Sequence, residues 1–394
     1  MNMEPFETYL KYMKWALLSC GYWPFLPSKF ILFQLIFIGM IDITWTVPIV
    51  LKLCQNYNDF TYLVDNLAFG FLAVLIWITY GNQLYTFSQL KDIYIKLFED
   101  FEIARKKETY FKIMIKYVKI TQVVSIVYLS YTGVVLVMYF NEAWIQIIIR
   151  EILNSNNATV EKTFVLDSNY YFFNASDYYA LTTLHMFVGG YFCIEPFVCI
   201  DLLLFCASGH ICGQYNLLKY KLLKINYDED TGEKIVDDNE ININVKNCIK
   251  DYHRVSEFIN LINEFFSTYL FVLCLIVIAL STLYCSLIVL NKDNTELLVR
   301  GSLTVVAQLV HVFFNCFSGQ MVLNETERFV NYIYDFEWYS VSPKIQKSIW
   351  LLMLSSVNEP QIHVGKNFCL SFEFYSTIIK SMFSYLNVLN SRQN

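Results

Sequence analysis

Residues 368–391, FCLSFEFYSTIIKSMFSYLNVLNS, hold the most informative pattern in the chain. At helical spacing, Thr377, Ser381, Ser384, Val388 and Ser391 recur at steps of four, three, four and three, so a seam of mostly hydroxyl side chains runs along one face. The remaining positions are mainly apolar, and at about 1.5 Å per residue the run is long enough to span a bilayer. The pattern predicts a transmembrane helix over residues 368–389 whose hydroxyl seam faces protein or water.

The seam has two interpretations. Ser and Thr allow transmembrane helices to approach closely and to hydrogen-bond across their interface, which predicts plain helix packing. Alternatively, the hydroxyl groups line a water-filled pore. Residue chemistry alone leaves both interpretations open.

The preceding segment contains further motifs. Ser342 and Pro343 are typical of a helix N-cap and first helical position, and they begin a short amphipathic run that precedes a break at residues 358–360. The motifs, in order, are Pro343-Lys344-x-Gln346-Lys347-Ser348, Gly365-Lys366, Leu370-Ser371-x-Glu373 and Ser384-Tyr385. Their order and spacing resemble the carboxy-terminal signature of insect odorant receptors. The resemblance implies a last helix split into a cytoplasmic part and a membrane part, which lines a cation pore with Val388 at the hydrophobic gate.

The composition is that of a membrane protein. Of the 394 residues 56% are apolar and only 16% are charged, far below the quarter that is usual in soluble domains. The net charge of −6 and the lack of basic tracts argue against nucleic-acid binding. The sequence has no CxxC pair, metal-ligand spacing, phosphate loop or convincing catalytic triad, so we expect no metal, no cofactor and no enzyme.

Hydropathy predicts an all-α polytopic protein that forms a single domain over residues 1–394. Seven windows have spanning length, near residues 30–51, 67–87, 121–140, 179–208, 265–290, 298–323 and 368–389. The fourth is interrupted by Glu195-Pro196 and Asp201, so we expect it to kink and to continue past the bilayer as far as Gln214.

The loop charges predict the orientation. Counted by alternate sides, 22 basic residues lie on the side of the amino terminus and six on the other. The positive-inside rule then places the amino terminus in the cytoplasm and the carboxy terminus outside, opposite to a G-protein-coupled receptor. Residues 141–178 become extracellular and carry two glycosylation sequons, at Asn157 and Asn174, whereas a third at Asn324 is cytoplasmic and unused.

Two other segments carry expectations. The run around residues 15–18 is too short to span a bilayer, and either an interfacial helix or a plain packed helix fits it. The acidic fourth loop, over residues 228–240, has a composition typical of disorder.

In this orientation the outer halves of spans two, three, four and six present a largely apolar surface with a few polar groups. Its candidate ligand-binding residues are Ala73, Ile76, Trp77, Tyr131, Val135, Met138, His185, Met186, Gly189, Leu303, Ala307 and Gln308. The resemblance places a volatile ligand in this region. Interhelical packing is the alternative for each residue, and His185 by itself favours a hydrogen-bonded core histidine.

Five charged residues fall inside predicted spans: Asp42, Glu195, Asp201, Glu373 and Lys380. A charge at the bilayer centre costs roughly 2.5–3.5 kcal/mol on insertion scales, so each needs a partner or water. A transporter uses such groups for coupling ions, and that alternative stays open.

The resemblance implies an odorant receptor in the plasma membrane of olfactory sensory neurons. It also implies a hetero-tetrameric, ligand-gated, non-selective cation channel with a co-receptor, surrounded by lipid, with Gln214 and Gln346 at the subunit interface. The co-receptor has a much longer fourth loop, so this chain resembles the ligand-selective subunit. The alternatives are a gustatory receptor channel, a G-protein-coupled receptor and a secondary transporter.

Overall fold

The computed structural model is mostly helical. It describes residues 10–56, 58, 62, 76–79, 81–82, 85–153, 164, 168–227, 231, 233–235, 237–291, 295–357 and 360–391. The elements in chain order are α1 (Lys11–Ser19), α2 (Ser28–Gln55), α3 (Phe87–Arg105), α4 (Glu108–Leu153), α5 (Tyr179–Leu223), α6 (Asp238–Leu290), α7 (Thr295–Asp335), a 3₁₀ turn (Trp338–Ser340), α8 (Pro343–Val357), β1 (His363–Val364), β2 (Phe368–Cys369) and α9 (Phe372–Ser391).

Within the described residues, five helices are long and apolar enough to cross a membrane, judged by length and composition: α2, α4, α5, α6 and α7. They match the first, third, fourth, fifth and sixth predicted spans. Most of the second predicted span lies outside the described residues. Helix α9 is less apolar than these five, because the hydroxyl residues of the seam and the charged residues Glu373 and Lys380 offset its apolar ones.

The predicted start of the last span at Phe368 is wrong. Phe368 pairs with Val364, and Cys369 with His363, in an antiparallel two-stranded hairpin, so α9 begins only at Phe372. The turn between the strands contains Gly365, whose positive φ of 62° favours glycine. This hairpin separates α8 from α9, which gives the last helical segment two parts.

Hydrogen bonds between α4, α5 and α7 fix how these helices run. The Tyr131 hydroxyl donates to the Ala307 carbonyl oxygen (2.8 Å), and the Asn216 side-chain amide donates to Glu325 Oε2 (2.6 Å). In addition, the Tyr117 hydroxyl of α4 donates to Glu325 Oε1 (3.4 Å), and His311 Nε2 lies 2.7 Å from Asp201 Oδ2 of α5. Along α7 the partners on α5 therefore rise in number and those on α4 fall, so α5 and α7 run in one direction and α4 runs in the other. We call the end that carries residues 168–178 the upper end, and the end that carries α8 the lower end.

Helix α5 lies at the centre of the bundle. It packs against α1, α2, α4, α6 and α7, and most of its residues from 195 to 213 are buried. As predicted, it runs on to Gln214, and it then continues beyond the predicted end to Leu223. Pro196 lies inside the helix without ending it. Close packing depends on small residues, since a Cβ at Gly209 would lie 2.3 Å from Thr121 Cγ2 of α4.

Part of the acidic loop that was expected to be disordered is helical. The Asp237 side chain accepts a hydrogen bond from the Asn239 backbone N–H (2.9 Å), and α6 begins at Asp238. Asp238 and Glu240 occupy the first turn, where negative charge interacts favourably with the helix dipole. Ile241 and Val245 are buried against the core, so helical spacing provided an apolar face that the overall composition did not reveal.

Helix α1 is a packed helix. Met13 and Leu17 are buried against the core and contact with α5 is extensive, whereas Trp15 is 66% exposed. The sequence left open an interfacial helix or a plain packed helix for this segment, and these contacts agree with the packed helix.

Candidate functional site

His185 is held at the upper end of α5 by two hydrogen bonds. Thr44 Oγ1 lies 3.1 Å from Nε2 and the Tyr170 hydroxyl lies 2.8 Å from Nδ1. Thr44 already donates its proton to the Ile41 carbonyl oxygen (2.8 Å), so it accepts from His185 Nε2–H. Burial raises the pKa of the Tyr170 phenol to about 12, so this hydroxyl keeps its proton and donates to Nδ1. His185 is therefore the hydrogen-bonded histidine that its position predicted.

The segment around Tyr170 is attached to the top of α2 and α5. The Asn169 backbone N–H donates to the Pro48 carbonyl oxygen (2.9 Å), and the Tyr170 ring stacks on Phe173 at 5.1 Å between centroids. The next residues point away from the bundle, since Tyr171 and Phe172 are 80% and 92% exposed. Residues 168–170 thus cover His185 and connect α2 to α5.

A second polar cluster lies deeper, around Asp201. Asp201 Oδ2 accepts from the Tyr128 hydroxyl and lies 2.7 Å from His311 Nε2, which joins α4, α5 and α7 through one carboxylate. Asp201 is completely buried. Among the described residues, its other oxygen and the buried Tyr269 hydroxyl have no hydrogen-bond partner. The cluster lies one helical turn below the bond between Tyr131 and Ala307, so it lies directly beneath these two candidate ligand-binding residues.

Helix α9 buries one face and exposes the seam. Ile378 and Met382 are buried, and α9 packs against α6 and α7. On the seam Thr377, Ser384, Val388 and Ser391 are exposed and Ser381 is half-buried. The seam hydroxyls bond along their own helix: Thr377 donates to the Glu373 carbonyl oxygen (3.0 Å), Ser381 to that of Thr377 (2.8 Å) and Ser391 to that of Val388 (3.0 Å).

Helix α7 connects these parts. Below His311, the Phe313 ring stacks on Phe372 at 5.7 Å and 11°. Gln320 Oε1 accepts from the Phe372 backbone N–H (3.0 Å), at the first residue of α9. A displacement of α7 would therefore be transmitted to the start of α9.

Comparison with known proteins identifies the family. The family model described as 7tm Odorant receptor matches residues 59–383. The chain belongs to the insect odorant receptor family.

A curated relative agrees with this assignment, and two solved structures share the fold. Odorant receptor 22c of Drosophila melanogaster is 22% identical over 218 residues, which make up 54% of each chain, so the match spans about half the length of this curated relative. The fold is similar to that of the insect olfactory receptor OR5 from Machilis hrabei in complex with eugenol, with a TM-score of 0.77, 13% identity and 98% of each chain covered. A second structure of OR5 gives a TM-score of 0.74 at 13% identity, with 99% of each chain covered.

The predicted ligand-binding residues of the receptor occupy different environments. Ile76 and Met186 are almost fully buried, at 1% and 3% exposure, whereas Trp77 and Met138 are 42% and 50% exposed. Tyr131, Val135, His185, Leu303, Ala307 and Gln308 are half-buried and Gly189 is buried. Ala73 lies outside the described residues.

The described residues of this set take part in different contacts. Tyr131 and Ala307 share a hydrogen bond, as described above. Gln308 instead accepts from the Ser281 hydroxyl of α6 (2.8 Å), and Gly189 packs against Trp45, because a Cβ there would lie 2.1 Å from the indole Cδ1. Gly189 thus supports the contact between α2 and α5.

Of the two sequons predicted to be extracellular, the structure describes the one at Asn174. Asn174 is exposed, and its Oδ1 accepts from the Ser176 backbone N–H at 3.3 Å. Asn157 lies outside the described residues.

Sequence reasoning singled out Asp201 but missed its partners. Tyr128 and His311 come from two other helices, and around His185 Thr44 comes from α2 and Tyr170 from the segment before α5. The available signal was position, since His311 follows Ala307 by four residues and therefore lies one turn below it on the same face of α7.

A groove of about 350 Å³ lies at the lower end, between the end of α7 and α8. Trp338, Gln346 and Trp350 contribute to its walls. Both tryptophans are substantially exposed, at 41% and 58%. Gln346 is fixed by its side-chain amide, which donates to the Val341 carbonyl oxygen (2.9 Å).

Proposed function

We propose that this receptor is the ligand-selective subunit of an odorant-gated cation channel. It binds a small volatile compound in the upper region between the second, third, fourth and sixth spans. Together with a co-receptor it forms a hetero-tetrameric, non-selective channel in the plasma membrane of olfactory sensory neurons. The whole chain, residues 1–394, acts as one seven-span domain.

The observation that carries this proposal is the uncovered polar face of α9. Glu373 and Lys380 are exposed on this helix beside the seam. A helix of transmembrane length that exposes charged side chains needs water or another protein there, because lipid does not solvate a charge. Four such faces around an axis make a polar path with an apolar ring at Val388. An apolar ring narrow enough to lose its water blocks ions until the helices move apart.

Helix α7 supplies the connection between ligand and gate. It carries Leu303, Ala307 and Gln308 in the proposed pocket and contacts the first residue of α9 through Phe313 and Gln320. A ligand that binds the open arrangement more tightly than the closed one shifts the equilibrium by that difference in affinity. Ligand binding at the upper end thereby opens the path along α9.

Charge supports the proposed orientation. The lower end carries ion pairs that need an aqueous environment, such as Lys221 with Asp251 (2.6 Å) and Arg254 with Asp100 (2.7 Å). Together with the 22 basic residues on the side of the amino terminus, they support a cytoplasmic lower end.

The orientation is tested with epitopes. A tag after Asn394 should be stained on intact cells, and a tag before Met1 only after permeabilisation; the reverse pattern would contradict the topology.

Asn157→Gln combined with Asn174→Gln should remove any glycosidase-sensitive mass shift.

The groove between α7 and α8 is the proposed contact with the co-receptor. Exposed tryptophans in a groove are typical of the central residues of protein interfaces. Gln346 at this groove, together with Gln214 on α5, contributes polar contacts.

The decisive experiment is electrical. Cells that express this chain and a co-receptor are exposed to a panel of volatiles, with G-protein signalling blocked by a non-hydrolysable GDP analogue in the pipette. We expect a rapid cation current on ligand addition that persists under this block. A response that disappears with the block would indicate a G-protein-coupled receptor, and ligand uptake without channel-like current would indicate a transporter.

A further inference from the structure

Lys380 is a charged residue near the middle of α9. It follows Phe372 by eight residues and precedes Ser391 by eleven. At about 1.5 Å per residue its Cα therefore lies about 12 Å along the helix, well inside the thickness of a bilayer. Ordinary helix packing does not require a lysine at this depth.

The lysine lies on the same side of α9 as the seam. With about 100° per residue, Lys380 is about 60° from Thr377 and about 40° from Ser384, but about 160° from the buried residues Ile378 and Met382. Its side chain is exposed, as are those of Thr377 and Ser384. The charge is therefore directed away from α6 and α7, to the side where the hydroxyl groups lie.

Within the part of the chain that the structure describes, no acidic side chain forms an ion pair with Lys380. An intramembrane lysine without a partner is stable only where water reaches it, because its ammonium group is strongly hydrated. Snorkelling to the membrane surface relieves charges near helix ends, but Lys380 is about two or more turns from either end. In the proposed tetramer the seam face borders the ion path, so the water of that path solvates it.

We propose that Lys380 places a positive charge in the ion path and thereby disfavours divalent cations relative to monovalent ones. This inference rests on the proposed channel function and extends it to ion selectivity. Coulomb repulsion is proportional to the charge of the permeating ion, so a fixed ammonium group repels Ca²⁺ twice as strongly as Na⁺ at the same distance. In water, at a distance of about 5 Å, the difference corresponds to a roughly fourfold effect on relative permeability. In a mixed tetramer only some subunits carry this lysine, which reduces the effect.

The test measures reversal potentials with Ca²⁺ outside and Na⁺ inside, in cells that express the receptor with its co-receptor. We expect Lys380→Gln to shift the reversal potential to more positive values, which corresponds to an increase of about two- to fivefold in the permeability of Ca²⁺ relative to Na⁺. Lys380→Glu should shift it further, and Lys380→Arg should retain the parental value. Lys246→Gln is the matched control, because Lys246 is an exposed lysine near the lower end of α6, away from the seam.

A second variant tests the charge without relying on how each substitution folds. In Lys380→Cys, modification at the surface by a positively charged methanethiosulfonate reagent should restore the parental permeability ratio. A negatively charged reagent should raise the ratio instead, with the unsubstituted receptor treated in parallel. Conducting channels whose ratio is the same in Lys380→Gln, in Lys380→Glu and after either reagent would overturn the role of Lys380 and leave the channel function intact. A parental receptor that reaches the surface with its co-receptor but gives no ligand-evoked current would overturn both.

Discussion

Helices α5 and α9 both carry polar residues at transmembrane positions, but those of α5 are buried between helices whereas the seam of α9 is mostly exposed. In the most apolar window of α5, 83% of the residues are buried, and Asp201 bonds to two other helices. On α9, by contrast, the Thr377 and Ser381 hydroxyls bond to carbonyl oxygens of their own helix, and the seam is exposed except for the half-buried Ser381. Buried polar contacts between helices contribute to folding, whereas an exposed polar face is available to water or to another subunit. Substitutions on α5 should therefore reduce stability, and substitutions on the exposed face of α9 should change conduction.

The largest expected effect comes from Asp201→Leu. The substitution leaves the half-buried His311 and the buried Tyr128 hydroxyl without their acceptor, and removing one partner from a buried ionisable group costs about 3–5 kcal/mol. We expect little or no folded receptor at the surface, and a strongly lowered melting temperature by fluorescence-detected size exclusion of any solubilised protein. Asp201→Asn keeps an acceptor oxygen, so its melting temperature should be lowered less than that of Asp201→Leu.

A compensated variant sharpens this prediction. Combining Asp201→Leu with His311→Leu and Tyr128→Phe removes all the partners together, and apolar replacement of a whole buried ionic group is often neutral or stabilising. This triple variant should be more stable than Asp201→Leu alone. Parental stability of the single variant would show that the Asp201 cluster does not hold α4, α5 and α7 together.

The next effect concerns the place where α9 joins the bundle. A Cβ at Gly319 of α7 would lie 2.0 Å from the Leu370 carbonyl oxygen, just before α9 begins. Since backbone must move, Gly319→Ala should cost about 1–3 kcal/mol and reduce ligand-evoked current. Gly133→Ala is the control, because a Cβ there meets no atom within 4 Å and alanine favours the helix. Equal melting temperatures of the two variants would argue against a tight junction at Leu370.

Ligand selectivity should change moderately. Trp77→Ala, Met138→Ala and Met186→Ala each alter the shape of the proposed pocket, and a misfit on this scale discriminates between ligands by about 10–200-fold. The rank order of agonists in whole-cell recordings should therefore shift without disappearing. Met186 is also buried in α5, so Met186→Ala should in addition lose about 2–5 kcal/mol of stability, unlike the exposed Met138→Ala. An unchanged rank order in all three variants would contradict the proposal that the ligand pocket lies in this region.

The smallest expected changes are those on the seam, because one subunit type supplies only part of the ring. Val388→Ser should raise the ligand-independent leak, since a hydroxyl favours water at the gate. Ser384→Leu should reduce the current without changing which ligands activate. Both variants should reach the surface at parental levels, and reduced surface levels with parental conduction would favour plain helix packing.

Local patterns in the sequence were sufficient to predict most of the helices. Spans one, three, four, five and six were predicted because their apolar windows exceed the thickness of a bilayer, and the seam of α9 was predicted from helical spacing. The hairpin before α9 was missed because Phe368 and Cys369 extend the apolar run of the helix, and only pairing with Val364 and His363 excludes them from it.

Contacts between distant residues could not be predicted in the same way. The free-energy cost of a charge inside the membrane predicted that Asp201 needs a partner. It did not predict that the partners are Tyr128 and His311, which lie 73 and 110 residues away in sequence on two other helices. Likewise, His185 was predicted to be hydrogen-bonded, whereas Thr44 and Tyr170 were not foreseen. These partners depend on which faces of α2, α4 and α7 meet α5, and that is decided by packing.

The most direct test of the central claim measures whether the seam of α9 lines the ion path. Ser384→Cys and Met382→Cys differ by two positions on the same helix, but Ser384 is exposed on the seam and Met382 is buried against α6 and α7. A positively charged methanethiosulfonate reagent is applied during ligand-evoked current in cells with the co-receptor, with the unsubstituted receptor as background for the native cysteines. The account predicts rapid, irreversible inhibition of Ser384→Cys and no change in Met382→Cys. Unaltered current in a Ser384→Cys receptor whose surface modification is demonstrated by labelling would contradict it.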